Sequence, residues 1–179
     1  MNKVFSPDCG NVLIPRFKGF SAKSRGLFVC ALFLTLPAFW TYAEEPKEFF
    51  LGIPCDVNFY SRSGIAFGGG LFFGFEGDGT ALGIRTLYCR DMDNVQTLEV
   101  TAFVRVYVPD ISGHSGLFAQ LNLGPCLFWE EDNDERGVYC AGFGLGWRFL
   151  LGKRWFMEPS VRAGYPFLAG AGVAAGLRI

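Results

Sequence analysis

The chain has 179 residues, 16 Lys/Arg against 17 Asp/Glu, and a formal net charge of −1. Half of it is hydrophobic and 17% aromatic, with 20 Phe and 24 Gly against only 18% charged residues, a combination that soluble domains rarely show. The length allows a single domain, and the charge balance excludes a basic surface for nucleic acid.

In chain order the first feature is a leader. Lys18, Lys23 and Arg25 precede the apolar run GLFVCALFLTLPAFW from Gly26 to Trp40, and Thr41-Tyr42-Ala43 follows. This is the layout of a secretory signal peptide cleaved after Ala43, and the run is too short to span a membrane comfortably. Residues 1–43 are thus expected to be a signal peptide region and residues 44–179 the mature domain. The leader carries five Lys/Arg and one Asp, so the mature part keeps 11 Lys/Arg and 16 Asp/Glu, a net charge near −5.

After residue 44 no helical period appears, and eight segments alternate large and small or polar residues, as successive side chains of a strand do. The first sets Phe49, Leu51, Ile53, Cys55, Val57 and Phe59 against Glu48, Gly52, Asp56 and Asn58. The second opposes Ile65, Phe67, Leu71, Phe73 and Phe75 to Ala66, Gly68, Gly70, Gly74 and Glu76. Leu82, Ile84 and Tyr88 then face away from Ala81, Gly83, Arg85 and Cys89, and Leu98, Val100, Val104, Val106 and Val108 from Thr97, Glu99, Thr101 and Arg105. The fifth segment opposes Leu117, Leu121, Leu123, Leu127 and Trp129 to Gln120, Asn122, Gly124 and Cys126. In the sixth, AGFGLGWRFLLG, Gly142, Gly144, Gly146 and Arg148 alternate with Phe143, Leu145 and Trp147. The seventh sets Trp155, Met157, Val161 and Tyr165 against Glu158, Ser160, Arg162 and Gly164. The last sets Ala171, Val173, Ala175, Leu177 and Ile179 against Gly170, Gly172, Ala174, Gly176 and Arg178. Most connections (SRSG, GDG, DMDN, GKR) have hairpin length and carry Gly, Asn or Asp.

Such a chain is all-β, an eight-stranded antiparallel up-and-down barrel. The bulky face is too voluminous for the interior of an eight-stranded barrel, whereas the glycine-rich face fits there. Large groups therefore point to lipid, which makes the barrel transmembrane. A soluble secreted ligand-binding barrel, with the bulky face inward, is the alternative. Aromatic residues fall at both strand ends: Phe59, Tyr88, Trp129, Tyr139 and Tyr165 at one, Phe49, Phe75, Phe149 and Trp155 at the other, as interfacial girdles do.

The inward polar residues, Asp56, Arg85, Glu99, Arg105, Gln120, Asn122, Arg148, Glu158 and Arg162, form the candidate lumen network. Hairpin register predicts Arg85 opposite Glu99 and Arg148 opposite Glu158. Four mature cysteines, Cys55, Cys89, Cys126 and Cys140, allow three full pairings; Cys126 and Cys140, both inward across one hairpin, form the candidate disulfide. The outward Cys55 excludes a four-cysteine zinc site, and no metal is expected. The acidic stretch EEDNDERG, Glu130–Gly137, lacks calcium-loop spacing and reads as a solvated loop. GFGLG has Trp147 where a dinucleotide fingerprint needs glycine. His114, the one histidine, lies with Asp110, Ser112 and Ser115 in a turn too short for an enclosed pocket, so no catalytic site is expected.

Eight strands of this pattern resemble the small outer-membrane barrel proteins, the OmpW-like and OmpA/OmpX-like groups, in a spirochaete variant. The closing GVAAGLRI, Gly172–Ile179, is similar to their C-terminal assembly signal, with Ile179 in place of the usual terminal Phe or Trp. The resemblance implies the outer membrane of a diderm bacterium, lipid and the outer-membrane assembly machinery as partners, and no cofactor. It implies a narrow channel, passive or gated, for small and even hydrophobic solutes. The alternative function is a non-conducting structural or surface-interaction barrel.

Overall fold

The computed structural model describes residues 48–60, 64–77, 79–92, 94–108, 115–130 and 133–179. The expected leader and the His114 turn lie outside them. Eight strands follow one another: β1 (Glu48–Tyr60), β2 (Gly64–Gly77), β3 (Thr80–Asp91), β4 (Gln96–Tyr107), β5 (Gly116–Glu130), β6 (Asn133–Leu151), β7 (Trp155–Tyr165) and β8 (Phe167–Arg178). Each pairs antiparallel with its chain neighbours, and β1 pairs with β8, so the sheet is a closed barrel. At the seam the Phe49 and Ile179 amides each donate to the other's carbonyl, at 3.3 and 2.8 Å. Closure leaves no strand edge in need of a partner.

The alternation read from the sequence is the alternation observed. Ile53, Leu121 and Leu123 stand outward at 57%, 59% and 65% exposure, whereas Asp56, Glu99, Asn122 and Arg148 are buried inside. The girdle aromatics Phe59, Phe75, Tyr88, Tyr139, Phe149, Trp155 and Tyr165 are exposed on the outer surface, and Phe49 and Trp129 are half-buried. Phe49 meets Phe75 edge to face at 5.5 Å across the β1–β2 pair, and Tyr88 lies beside Trp129.

Two connections differ from expectation. Asn94, at φ 64°, gives the β3–β4 turn a left-handed residue, and the Asp91 side chain accepts from Val95 N at 2.8 Å. This longer turn pairs Arg85 with Thr101 and Leu87 with Glu99, a shift of two from the predicted register. The acidic stretch expected to be a loop is instead mostly ladder: β5 and β6 stay paired out to Glu130–Asn133, and β6 runs 19 residues. Backbone groups make that ladder, so charged side chains do not end it; residues 131 and 132 lie outside the described ones.

The inner face holds more than small and polar groups. Phe50, Phe72, Phe103, Phe118 and Phe156 are all buried in one cluster, at the barrel end that carries Glu48 and Ile179. Each has a glycine as its cross-strand neighbour: Gly74, Gly52, Gly83, Gly146 and Gly176 respectively. A Cβ built at Gly83 would lie 2.6 Å from the Phe103 ring, and those at Gly52, Gly146 and Gly176 would be closer still to their rings. Glycine alternates here because each phenyl ring lies flat over the strand beside it, a pairing that covers bare backbone and fills the bore. At the other end Tyr60, Leu87, Cys89, Cys126, Cys140 and Phe167 form a second buried cluster.

Candidate functional site

The lumen charges are interleaved with these two apolar clusters and arranged in two tiers. In the tier nearer Glu48 and Ile179, Glu158 (β7) takes a two-pronged contact from Arg105 (β4), NH1 to Oε1 at 2.6 Å and NH2 to Oε2 at 3.1 Å. Arg148 (β6) donates its Nε to the same Oε1 at 2.5 Å and its NH1 to Glu76 (β2). Tyr107 OH donates to Glu76 at 3.2 Å, and Arg178 Nε approaches Glu76 Oε1 at 2.8 Å. Arg105 also donates to Gln120 Oε1 through Nε at 2.9 Å, and the Gln120 amide in turn donates to Asn122 at 2.7 Å.

The other tier is built on Arg162 (β7). Its guanidinium donates to both oxygens of Glu99 (β4), at 2.8 and 3.3 Å, and to Asn58 Oδ1 at 2.9 Å. It also lies 3.3 Å from Asp56 (β1), which accepts from Arg85 (β3). Tyr60 OH donates to Glu99 at 3.1 Å.

Long arginine side chains carry these pairs across the bore. β2 and β6, which hold Glu76 and Arg148, lie on opposite walls of the eight-stranded ring. Aromatic faces complete the packing: the Arg148 guanidinium carbon is 4.2 Å from the Phe156 centroid, Arg105's is 4.0 Å from Phe118's, and Arg162's is 3.9 Å from Phe167's. Stacking of this kind stabilises a desolvated cation and holds the guanidinium plane in place.

The structure thus brings all nine predicted polar residues into the lumen but pairs some of them differently. Arg148 and Glu158 meet, as adjacent-strand register predicts. Arg85 and Glu99 do not: the two-residue shift separates them, and each finds a partner elsewhere, Asp56 for Arg85 and Arg162 for Glu99. Sequence reasoning placed Glu76, Asn58 and Arg178 inward without assigning them to the network, and missed Tyr60, one residue past the end of its segment, and Tyr107, which lay within its segment but was assigned to neither face. Tyr60 shares the parity of Asp56 and Asn58, and Tyr107 that of Arg105, so parity alone could have found both.

The expected Cys126–Cys140 disulfide is absent. All four described cysteines are free, and the register sets Cys126 opposite Val138 and Cys140 opposite Gly124. The tighter β5–β6 turn displaces the two thiols from a directly opposed pair into a diagonal one, where bridging geometry is lost. Thiol labelling of the folded protein should therefore miss Cys89, Cys126 and Cys140, and urea should expose all three. A bridged pair would leave two of them unreactive even then. Among the described residues no group of three His, Cys, Asp or Glu is placed to hold a metal.

No family model matches the chain, and no curated protein matches it. Solved structures do. The N-terminal β-barrel domain of Pseudomonas aeruginosa OprF superposes with a TM-score of 0.50 at 16% identity, over 75% of this chain and 100% of that one. The Neisserial surface protein NspA gives 0.53 at 12% identity, over 74% and 96%. The fold is that of the small outer-membrane barrels. Identities this low carry the architecture alone, and neither barrel lends support to a spirochaete affinity. An outer-membrane-type barrel explains why the outer surface is apolar while arginines and carboxylates are buried at the axis.

Proposed function

We propose that the protein is an outer-membrane barrel, exported by its leader, whose lumen is shut and non-conducting in the state described. One observation carries this reading: Arg148–Glu76 and Arg105–Glu158 bridge separate walls of the bore, with Phe50, Phe103, Phe118 and Phe156 packed around them. A lumen cavity lined by Arg85, Arg105, Glu158 and Arg162 has a volume of about 30 Å³, room for about two waters. Its role is then structural or surface-directed, with outer-membrane lipid as its surroundings and Gly172–Ile179 as the strand offered to the assembly machinery. No catalytic role is assigned, because Asp56, Glu76, Glu99 and Glu158 are all taken up by guanidinium groups.

Planar-bilayer recording of the purified protein should give silence at moderate voltage. Steady, solute-sensitive currents from the unmodified protein would overturn the reading. A gated narrow channel is the second reading, and the sharing of Glu158 favours it: with Arg105 and Arg148 both on one carboxylate, either arginine can leave without stranding the other. Passage of a small solute would require that exchange together with displacement of the phenyl rings.

A further inference from the structure

We propose that the β6–β7 turn seats an anionic phospholipid, its phosphate at Lys153 and Arg154 and its chains along Trp147, Phe149, Leu151 and Trp155. The inference rests on the membrane reading of the barrel and adds which lipid it holds and where. Gly152, at φ 79°, gives the turn its left-handed residue, and Leu151 pairs with Trp155 across its base. The Arg178 amide donates to the Arg154 carbonyl at 2.8 Å, which ties the turn to β8. Backbone contacts thus fix the turn, yet Lys153 and Arg154 are exposed. Among the described residues neither side chain has an ion pair or a hydrogen bond.

Beside these two cations the outer face of β6 and β7 carries Trp147, Phe149, Leu151 and Trp155, all exposed, Trp155 the most at 61%. The Trp147 and Phe149 rings lie 6.2 Å apart. Indole rings collect at headgroup level, where one edge stays wet, and Lys and Arg reach past them with apolar stems and charged heads. A phosphodiester at the turn meets two cations that no carboxylate holds, while its acyl chains meet the apolar strip. Inorganic phosphate gains nothing from that strip, and a zwitterionic headgroup brings its own cation to the turn. The opposite end of the barrel is built otherwise. Its connections DMDN and EEDNDERG carry two and five acidic residues, and Arg90 at that rim already donates to Asn94 at 2.8 Å.

The test uses the full chain with Trp40→Phe and Trp129→Phe, so that of its four tryptophans only Trp147 and Trp155 remain. It is refolded into phosphatidylcholine vesicles holding a small fraction of brominated-chain phosphatidylglycerol, or the same fraction of brominated phosphatidylcholine. Phosphatidylglycerol should quench the tryptophans with an apparent affinity about fivefold or more above that of phosphatidylcholine, since each cation at a lipid surface is worth about that factor. Lys153→Gln together with Arg154→Gln should bring the two lipids level, whereas Arg90→Gln at the other rim should leave the preference intact. Heat-modifiable electrophoresis checks that each variant is folded. Should the double variant fail to fold, either single change should reduce the preference without removing it. Equal quenching by the two lipids in the parent, a preference that survives the loss of both cations, or its loss to millimolar inorganic phosphate at constant ionic strength overturns the proposal. Quenching by neither lipid would remove the membrane reading and the proposal with it. Bilayer conductance is a separate outcome, because the turn lies outside the bore.

Discussion

Replacing Glu158 with glutamine should lower the stability of the folded barrel by about 3–5 kcal/mol, the usual cost of leaving a buried charge without its partner. The effect is large because one carboxylate serves two cations. Arg105 and Arg148 are each essentially sealed from solvent, and both direct guanidinium nitrogens at Glu158. Glutamine keeps an acceptor oxygen, so some hydrogen bonding survives, but Arg148 then keeps only Glu76 and Arg105 loses the carboxylate it pairs with. Urea unfolding in vesicles measures the loss, and a further change of Arg148 to Met should recover part of it by removing the stranded charge. The same variant tests the gated reading. Discrete conductance in Glu158→Gln, against silence in the parent, shows that the ion pairs and not the phenyl rings close the bore.

The second large effect concerns glycine. Gly146→Ala should cost about 1–3 kcal/mol, while Gly144→Ala, two residues earlier on the same face of β6, should change stability by less than about 0.5 kcal/mol. At Gly146 a methyl group would run into the Phe118 ring and approach the Pro159 carbonyl oxygen at 2.8 Å. At Gly144 the nearest atoms are Val161 O at 3.5 Å and Arg162 Cβ at 3.9 Å, which is ordinary contact. Heat-modifiable electrophoresis compares the folded fractions and urea titration the free energies. Equal behaviour of the two variants would mean that inward glycines serve only the small radius of the barrel. A difference means that they serve the phenyl rings.

That contrast marks where reading the chain succeeded and where it stopped. The period of two over eight segments is a local property, so strand number, facing and the inward position of Asp56, Arg85, Glu99, Arg105, Gln120, Asn122, Arg148, Glu158 and Arg162 were legible without coordinates. The pairing within hairpins was less so. Register depends on how many residues a turn consumes, and a single left-handed Asn94 moved Arg85 away from Glu99. Likewise two residues of slip in the β5–β6 hairpin separated Cys126 from Cys140.

Alternation of side chains along the chain by itself determined that there is a barrel, which face turns outward and which charges lie within. Only the tertiary structure decided whom those charges meet, because Arg148 and Glu76 are 72 residues apart and come together solely through closure of the ring. It also decided what the glycines are for, since a ring laid across a neighbouring strand leaves no trace in the spacing of either residue. Local geometry is written along the chain, whereas contacts across a bore depend on its radius and on the stagger of all eight strands at once.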